Sequence, residues 1–165
     1  MSAQQTYGYQ TPKGIAGGLF DISPYRIDSR SNGEETPGAL LYGMGVVQGE
    51  SPGKNILKPT ATDEPDVFEG VAMTGFTTQM DMLGKVTVMP RQTIGILRWG
   101  KAWVRVADGV VPEYGEPLHL IVDGAEAGFF TNDDTGDVIA IKGRFVGGLG
   151  TGNIAPVEIF NQMQE

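Results

Sequence analysis

Residues 93–106 read Thr93-Ile-Gly-Ile-Leu-Arg-Trp-Gly-Lys-Ala-Trp-Val-Arg-Val106, the most apolar β segment of the chain. Ala102, Val104 and Val106 alternate with Trp103 and Arg105, the period of two that sends successive side chains to opposite faces of a strand. The same alternation runs through Lys85-Val-Thr-Val88 and through Leu118, Leu120 and Val122. Working outward from this stretch, eight strand candidates follow one another: Ala39–Val47, Val67–Thr74, Lys85–Met89, Thr93–Val106, Leu118–Val122, Gly128–Thr131, Val138–Phe145 and Pro156–Phe160. Turn chemistry separates them at Asp108-Gly109, Asp123-Gly124, Thr135-Gly136 and Gly147-Gly148. The segment Thr77–Leu83 has helix formers but spans less than two turns before Gly84, so it reads as a loop crossing. The expected fold is all-β, a compact β-barrel or sandwich of jelly-roll or tulip-like build over residues 38–165.

Composition agrees with that class. The chain holds 25 Gly and 10 Pro among 165 residues, about a fifth, which favours many turns over long helices. With 40% apolar residues a domain of this length can bury one core unaided, and the absence of Cys removes disulfides and thiolate metal sites. The net charge of −8 and the lack of a basic stripe argue against nucleic-acid binding, whose affinity comes largely from clustered Lys and Arg. No apolar run approaches the ~20 residues of a spanning helix, and the start lacks a signal-peptide pattern. The expectation is a protein made and kept in a cytosol, or assembled from one into a particle, with no membrane partner.

Residues 1–37 read differently. Glycines and prolines are interleaved with Tyr7, Tyr9, Leu19, Phe20, Ile22, Tyr25 and Ile27, and neither the helical nor the strand period is sustained. Disordered tails are poor in such aromatic and branched residues, so this stretch reads as an extended N-terminal arm that docks on something. Extended, ~30 residues reach about 100 Å at ~3.3 Å each, beyond the ~30 Å width of a domain.

Motifs for chemistry are weak. Gly49-Glu-Ser-Pro-Gly53 matches the G-x-S-x-G nucleophile elbow, but Pro59 and Pro65 interrupt the helix that should follow, and His119 is the only histidine available as a base. A Ser-Pro-Gly turn is the better reading. The overlap of Gly49–Lys54 with a phosphate-binding loop fails on glycine spacing and on Asn55 in place of Ser or Thr. Asn132–Asp137 carries three carboxylates, which could hold calcium or form an acidic hairpin tip; no Glu stands at the twelfth position of an EF-hand loop, and no metal is assigned. Asp63, Glu64 and Asp66 read as a solvated loop, and no cofactor is assigned. Trp99 and Trp103 share a face if the strand runs unbroken through Gly100, and core or subunit interface is the favoured role over a ligand platform. Of the adjacent Phe129 and Phe130, one faces outward and marks a contact surface.

Gly100–Val106, then Asp108-Gly-Val-Val-Pro-Glu-Tyr-Gly-Glu-Pro-Leu118, Gly143-Arg-Phe-Val-Gly-Gly-Leu149 and Ile154-Ala-Pro-Val-Glu-Ile159 together resemble the structural cement, or head decoration, proteins of tailed phages. The likeness includes a Gly/Pro-rich arm and a Pro37-Gly38-Ala39 entry to the first strand, and it covers residues 37–160 in outline. The loop Ser51–Asp66 and the tip Asn132–Asp137 have no counterpart in the pattern. The resemblance implies a non-enzymatic virion protein on the outside of an expanded icosahedral head, bridging major capsid subunits and pairing with itself as a dimer or trimer. It makes Tyr7, Tyr9, Leu19, Phe20, Ile22 and Tyr25 arm contacts to capsid or to a neighbouring copy, and Trp99, Trp103, Phe129 and Phe130 interface candidates. Deleting residues 1–30 is then expected to leave a folded β domain. The rival readings are a receptor- or glycan-binding β-module of the virion, a tail or connector protein, and a small hydrolase using Ser51 and His119.

Overall fold

The computed structural model describes residues 14–60, 67–75 and 86–162. They form nine strands: β1 (Arg26–Asn32), β2 (Gly45–Gln48), β3 (Asn55–Leu57), β4 (Phe68–Met73), β5 (Thr93–Arg105), β6 (Pro117–Ile121), β7 (Phe130–Thr131), β8 (Val138–Phe145) and β9 (Ile154–Ile159). No helix interrupts them among the described residues. The all-β expectation holds, and the architecture is a closed five-stranded barrel with further strands folded over it.

The barrel runs β1–β3–β2–β4–β5 and closes where β1 pairs antiparallel with the first half of β5. The β1–β3 contact is parallel and short, joining only Ser31 with Asn55 and Asn32 with Ile56. Val46, Ile56, Ala72, Ile94 and Ile96 fill the interior, with Leu40, Tyr42 and Val88 packed against them. The second half of β5 leaves the barrel and pairs with β9, continuing the sheet through β8, β6 and β7. That sheet curls until Val106 bridges Phe130, and it encloses the larger core of Ala102, Val104, Leu118, Leu120, Phe130, Phe145 and Val157. Val47, Val71, Met73 and Leu97, on the outer wall of the barrel, complete this second core.

One strand serves both cores because its pattern changes hand in the middle. Ile94 and Ile96 face the barrel interior, whereas Leu97 and Ala102, an odd number of residues apart, both belong to the second core. The change falls where the β1–β5 register slips, Arg26 pairing with Trp99 and Ile27 with Leu97, so that Arg98 is the extra residue of a bulge. Gly100 follows with φ of 129°, in the region that side chains other than hydrogen avoid, and Tyr25 Cβ occupies the space a Cβ would need. The strand continues through Gly100 to Arg105 in regular register with β9, and both tryptophans lie beyond the bulge, Trp99 half-buried and Trp103 buried.

Three readings of the sequence need correction. Residues 26–32, within the stretch read as an arm, form a barrel strand, so deleting residues 1–30 would open the ring. The inward positions of β1 explain the miss: Asp28 and Arg30 lie beside Ile96 and Ile94, and Asn32 is 1% exposed, all polar where the strand period is sought in apolar residues. The Asn32 amide donates to Met89 O at 3.0 Å and its carbonyl oxygen accepts from Glu34 N at 3.0 Å, which offsets its burial. Second, residues 39–44 are turns and β2 begins at Gly45, while β3 forms inside the loop Ser51–Asp66. Third, residues 87–89 join no ladder; Val88 is buried and its carbonyl accepts from Gly38 N at 3.2 Å.

Candidate functional site

The N-terminal segment 14–25 lies along the free edge of the second half of β5. Gly17 N donates to Trp103 O at 2.8 Å, Trp103 N to Gly18 O at 2.9 Å and Phe20 N to Lys101 O at 3.1 Å, with Leu19 bridged to Ala102. Thr74 secures the start, its N–H and Oγ1 donating to Gly17 O and Ala16 O at 2.8 Å each. These bonds satisfy an edge that would otherwise recruit another strand.

Trp103 is the anchor beneath this segment. It is 9% exposed, Phe20 tilts against it at 5.6 Å between ring centroids, and Gly14 lies so close that a Cβ would run into the indole. Asp21 then pairs with Lys101 at 3.1 Å and accepts from Ser23 N at 2.9 Å. Hydrogen bonds from Ser23, aided by Lys101, hold its carboxyl below the usual carboxylate range.

Past Phe20 the apolar side chains turn outward. Ile22 is fully exposed and Tyr25 is 47% exposed, with Ile15, Leu19 and Ile27 also at the surface. Phe160 is exposed beside an open groove of about 580 Å³ lined by Ser23, Pro24, Trp99, Lys101 and Glu158 as well. These exposed apolar side chains border a groove with both polar and apolar lining. Of the residues read as arm contacts, Ile22, Tyr25 and Leu19 are displayed, Phe20 is engaged within its own chain, and Tyr7 and Tyr9 lie outside the described residues.

The remaining aromatics divide in the same way. Trp99 is half-buried in the groove wall, whereas Trp103 is covered by the chain's own N-terminal segment. Phe130 is the buried member of its pair, 0% exposed and edge-on to Phe68 at 6.4 Å, and Phe129 is half-buried.

The weak chemical motifs dissolve into turn structure. Ser51 sits exposed in the β2–β3 turn, where its N–H donates to Asn55 Oδ1 at 2.9 Å, and β3 rather than a helix follows. His119 sits in β6 between Thr131 and Ala140, on strands that share no pairing with β2 or β3. At the tip, Asp133 accepts from Thr135 N at 2.9 Å, and that bond keeps its carboxyl below the ordinary range. Glu116 accepts from Glu113 N and from the Asn132 amide at 2.8 Å each, with the same effect, so two of these acids act as turn acceptors. Asp63, Glu64 and Asp66 lie outside the described residues.

Sequence reading missed one cluster. Arg26, Asp28 and Arg30 of β1 meet Glu69 of β4 and Arg98 of the β5 bulge: Asp28 is 3.1 Å from Arg26, 3.5 Å from Arg30 and 4.0 Å from Arg98, and Glu69 binds Arg98 closely. Arg30 Nε lies 3.9 Å from Glu69 and is a buried donor without a hydrogen-bond partner. The signal was present in the alternation of charge at positions 26, 28 and 30, which places all three on one side of a strand.

Comparison with known proteins adds the family. A chain from the solved structure "The capsid of Myoviridae Phage XM1" shares this fold with a TM-score of 0.72, at 20% identity, with 99% of this chain and 100% of that chain covered. No curated protein sequence matches. The profile of the family described as structural cement protein (E217 gp24/Pam3 gp6) matches residues 3–160, from before the edge-covering segment through β9. A match over nearly the whole length takes in barrel, overlying sheet and N-terminal segment together, and by it this chain belongs to the structural cement protein family of phage virions.

Proposed function

We propose that this protein cements the mature icosahedral phage head from outside, binding at junctions between neighbouring major capsid subunits, as a dimer or trimer and without catalytic activity. The observation that carries this reading is the family match over residues 3–160, and the exposed run of Ile15, Leu19, Ile22 and Tyr25 supplies a surface for it. A clamp that gains buried area only when the junction has its mature geometry stabilises that geometry by mass action. Each contact can be modest, because several sites on one oligomer raise the effective concentration of the rest. The acidic balance suits an outer surface facing water and would be repelled by packed DNA. Assembly takes place in the host cytoplasm, where heads mature.

Two measurements test it. Quantitative mass spectrometry of purified particles is expected to give a copy number of the same order as the most abundant shell protein; a handful of copies per particle would instead favour a tail or receptor-binding part. Ile22→Ser is expected to leave folding stability within about 0.5 kcal/mol, as surface changes do. The same variant is expected to lower retention on expanded heads in a sedimentation assay; unchanged retention would remove Ile22 from the contact.

A further inference from the structure

Although the ring closes, part of β1 is left with an open side among the described residues. β3 pairs with β1 only at Ser31 and Asn32, so among the described residues nothing pairs with Arg26–Arg30 on the side away from β5. Alternation fixes which groups face that side. Ser31 and Gly33 donate to Lys54 O and Ile56 O of the β3 side at 2.9 Å, whereas Asn32 donates to Gln92 O on the β5 side at 2.9 Å. By the same period Ile27 and Ser29 present their N–H and C=O to the open edge, and Asp28 and Arg30 belong to the β5 ladder. Ile27 and Ser29 are exposed, and the Ser29 carbonyl is taken by Arg30 Nη1 at 2.9 Å.

The edge is flanked by an unbalanced charge cluster. Three guanidinium groups, Arg26, Arg30 and Arg98, face two carboxylates, Asp28 and Glu69, an excess of one positive charge in a chain of net −8. Arg26 is the outermost, its side chain 63% exposed, and the Arg30 Nε donor is unsatisfied. We propose that the open edge of β1 receives an extended acidic segment of the major capsid protein by strand addition, its backbone pairing with Ile27 and Ser29 and its carboxylates facing Arg26, Arg30 and Arg98. Strand addition takes its affinity from main-chain bonds and its selectivity from alternate side chains. Cationic groups on an edge reject basic and apolar strands while accepting acidic ones, so the device that guards the edge also selects its partner. Elsewhere the net negative surface repels an acidic segment, which gives the encounter a direction.

This inference rests on the cement reading for the identity of the partner, and the experiment separates the two. Expanded heads lacking the protein are titrated with wild type, Arg26→Glu and Ser29→Pro. The proline removes an N–H that faces the open side and none that serves the β5 ladder. Wild type is expected to bind, and each variant about tenfold more weakly, with a flatter salt dependence for Arg26→Glu. Equal binding by both folded variants overturns the edge while leaving the cement reading intact. Independently of heads, a blocked Val-Glu-Val-Glu-Val-Glu peptide is added to isotope-labelled protein. Shifts of the Ile27 and Ser29 amides, absent with the lysine counterpart, support the edge even if wild type fails to bind heads; no shift, or equal shifts with both peptides, overturns it.

Discussion

The barrel and the sheet folded over it share β5, yet their interiors differ in kind. The barrel encloses aliphatic side chains and one tyrosine and meets polar groups at its ends: Asn32 bonded to Met89 O and Glu34 N, and the Asp28, Arg30, Glu69 and Arg98 cluster. The second core is larger, holds Phe130 and Phe145, and is apolar throughout. A closed five-stranded ring has too narrow a lumen for many large side chains, so the barrel is held by ladder closure and by polar groups at its ends. The second core depends on area removed from water and on dense packing. The barrel is therefore expected to be sensitive to loss of a strand, and the overlying sheet to loss of volume.

That contrast can be broken from either side. The largest effect is expected from a chain beginning at residue 33, which lacks β1: urea unfolding followed by circular dichroism should lose its cooperative transition. Retention of a sharp transition would show that ring closure is dispensable. Next, Phe130→Ala should cost about 3–5 kcal/mol, the range for emptying a large buried aromatic site. Ile96→Val in the barrel should cost only ~0.5–1.5 kcal/mol in the same denaturant measurement. If the Ile96 change proved the larger, the barrel and not the second layer would dominate stability.

The smallest effect concerns pH. The carboxyls of Asp21, Glu116 and Asp133 are held below their ordinary values of 3.8, 4.5 and 3.8 by hydrogen bonds from Ser23, Glu113 and Thr135. A depressed carboxylate contributes stability that is present above its unfolded value and is lost as pH falls through the folded one. Stability should thus be level from neutral pH to about pH 5 and decline below pH 4.5. All three groups are solvent-facing, so the decline should be shallow in urea midpoints measured at stepped pH. A steep loss beginning near pH 6 would point to a group other than these.

Much of the second layer was legible from alternation alone. Val138–Phe145 forms as read, Thr93–Val106 ends one residue early, and Leu118–Val122 is shifted by one residue, because apolar side chains recur at a spacing of two within each, in β5 on either side of its bulge. β1 was not legible for the opposite reason, its inward side being Asp28, Arg30 and Asn32. β3 was missed because three residues cannot establish a period. In the N-terminal segment, nothing local distinguished Ile22 and Tyr25, which are exposed, from Phe20, which packs on Trp103 across 83 positions of sequence.

By itself the sequence determined the β class, the turns between strands and an N-terminal stretch rich in apolar side chains, since these follow from residue-level composition, propensity and periodicity. Tertiary structure alone decided that β1 closes the barrel, that the bulge at Arg98 turns one strand to serve two cores, and that residues 17–20 cover their own β5 edge. Those outcomes depend on register between distant segments, and register is set by which pairings bury the most surface while leaving the fewest backbone groups unpaired.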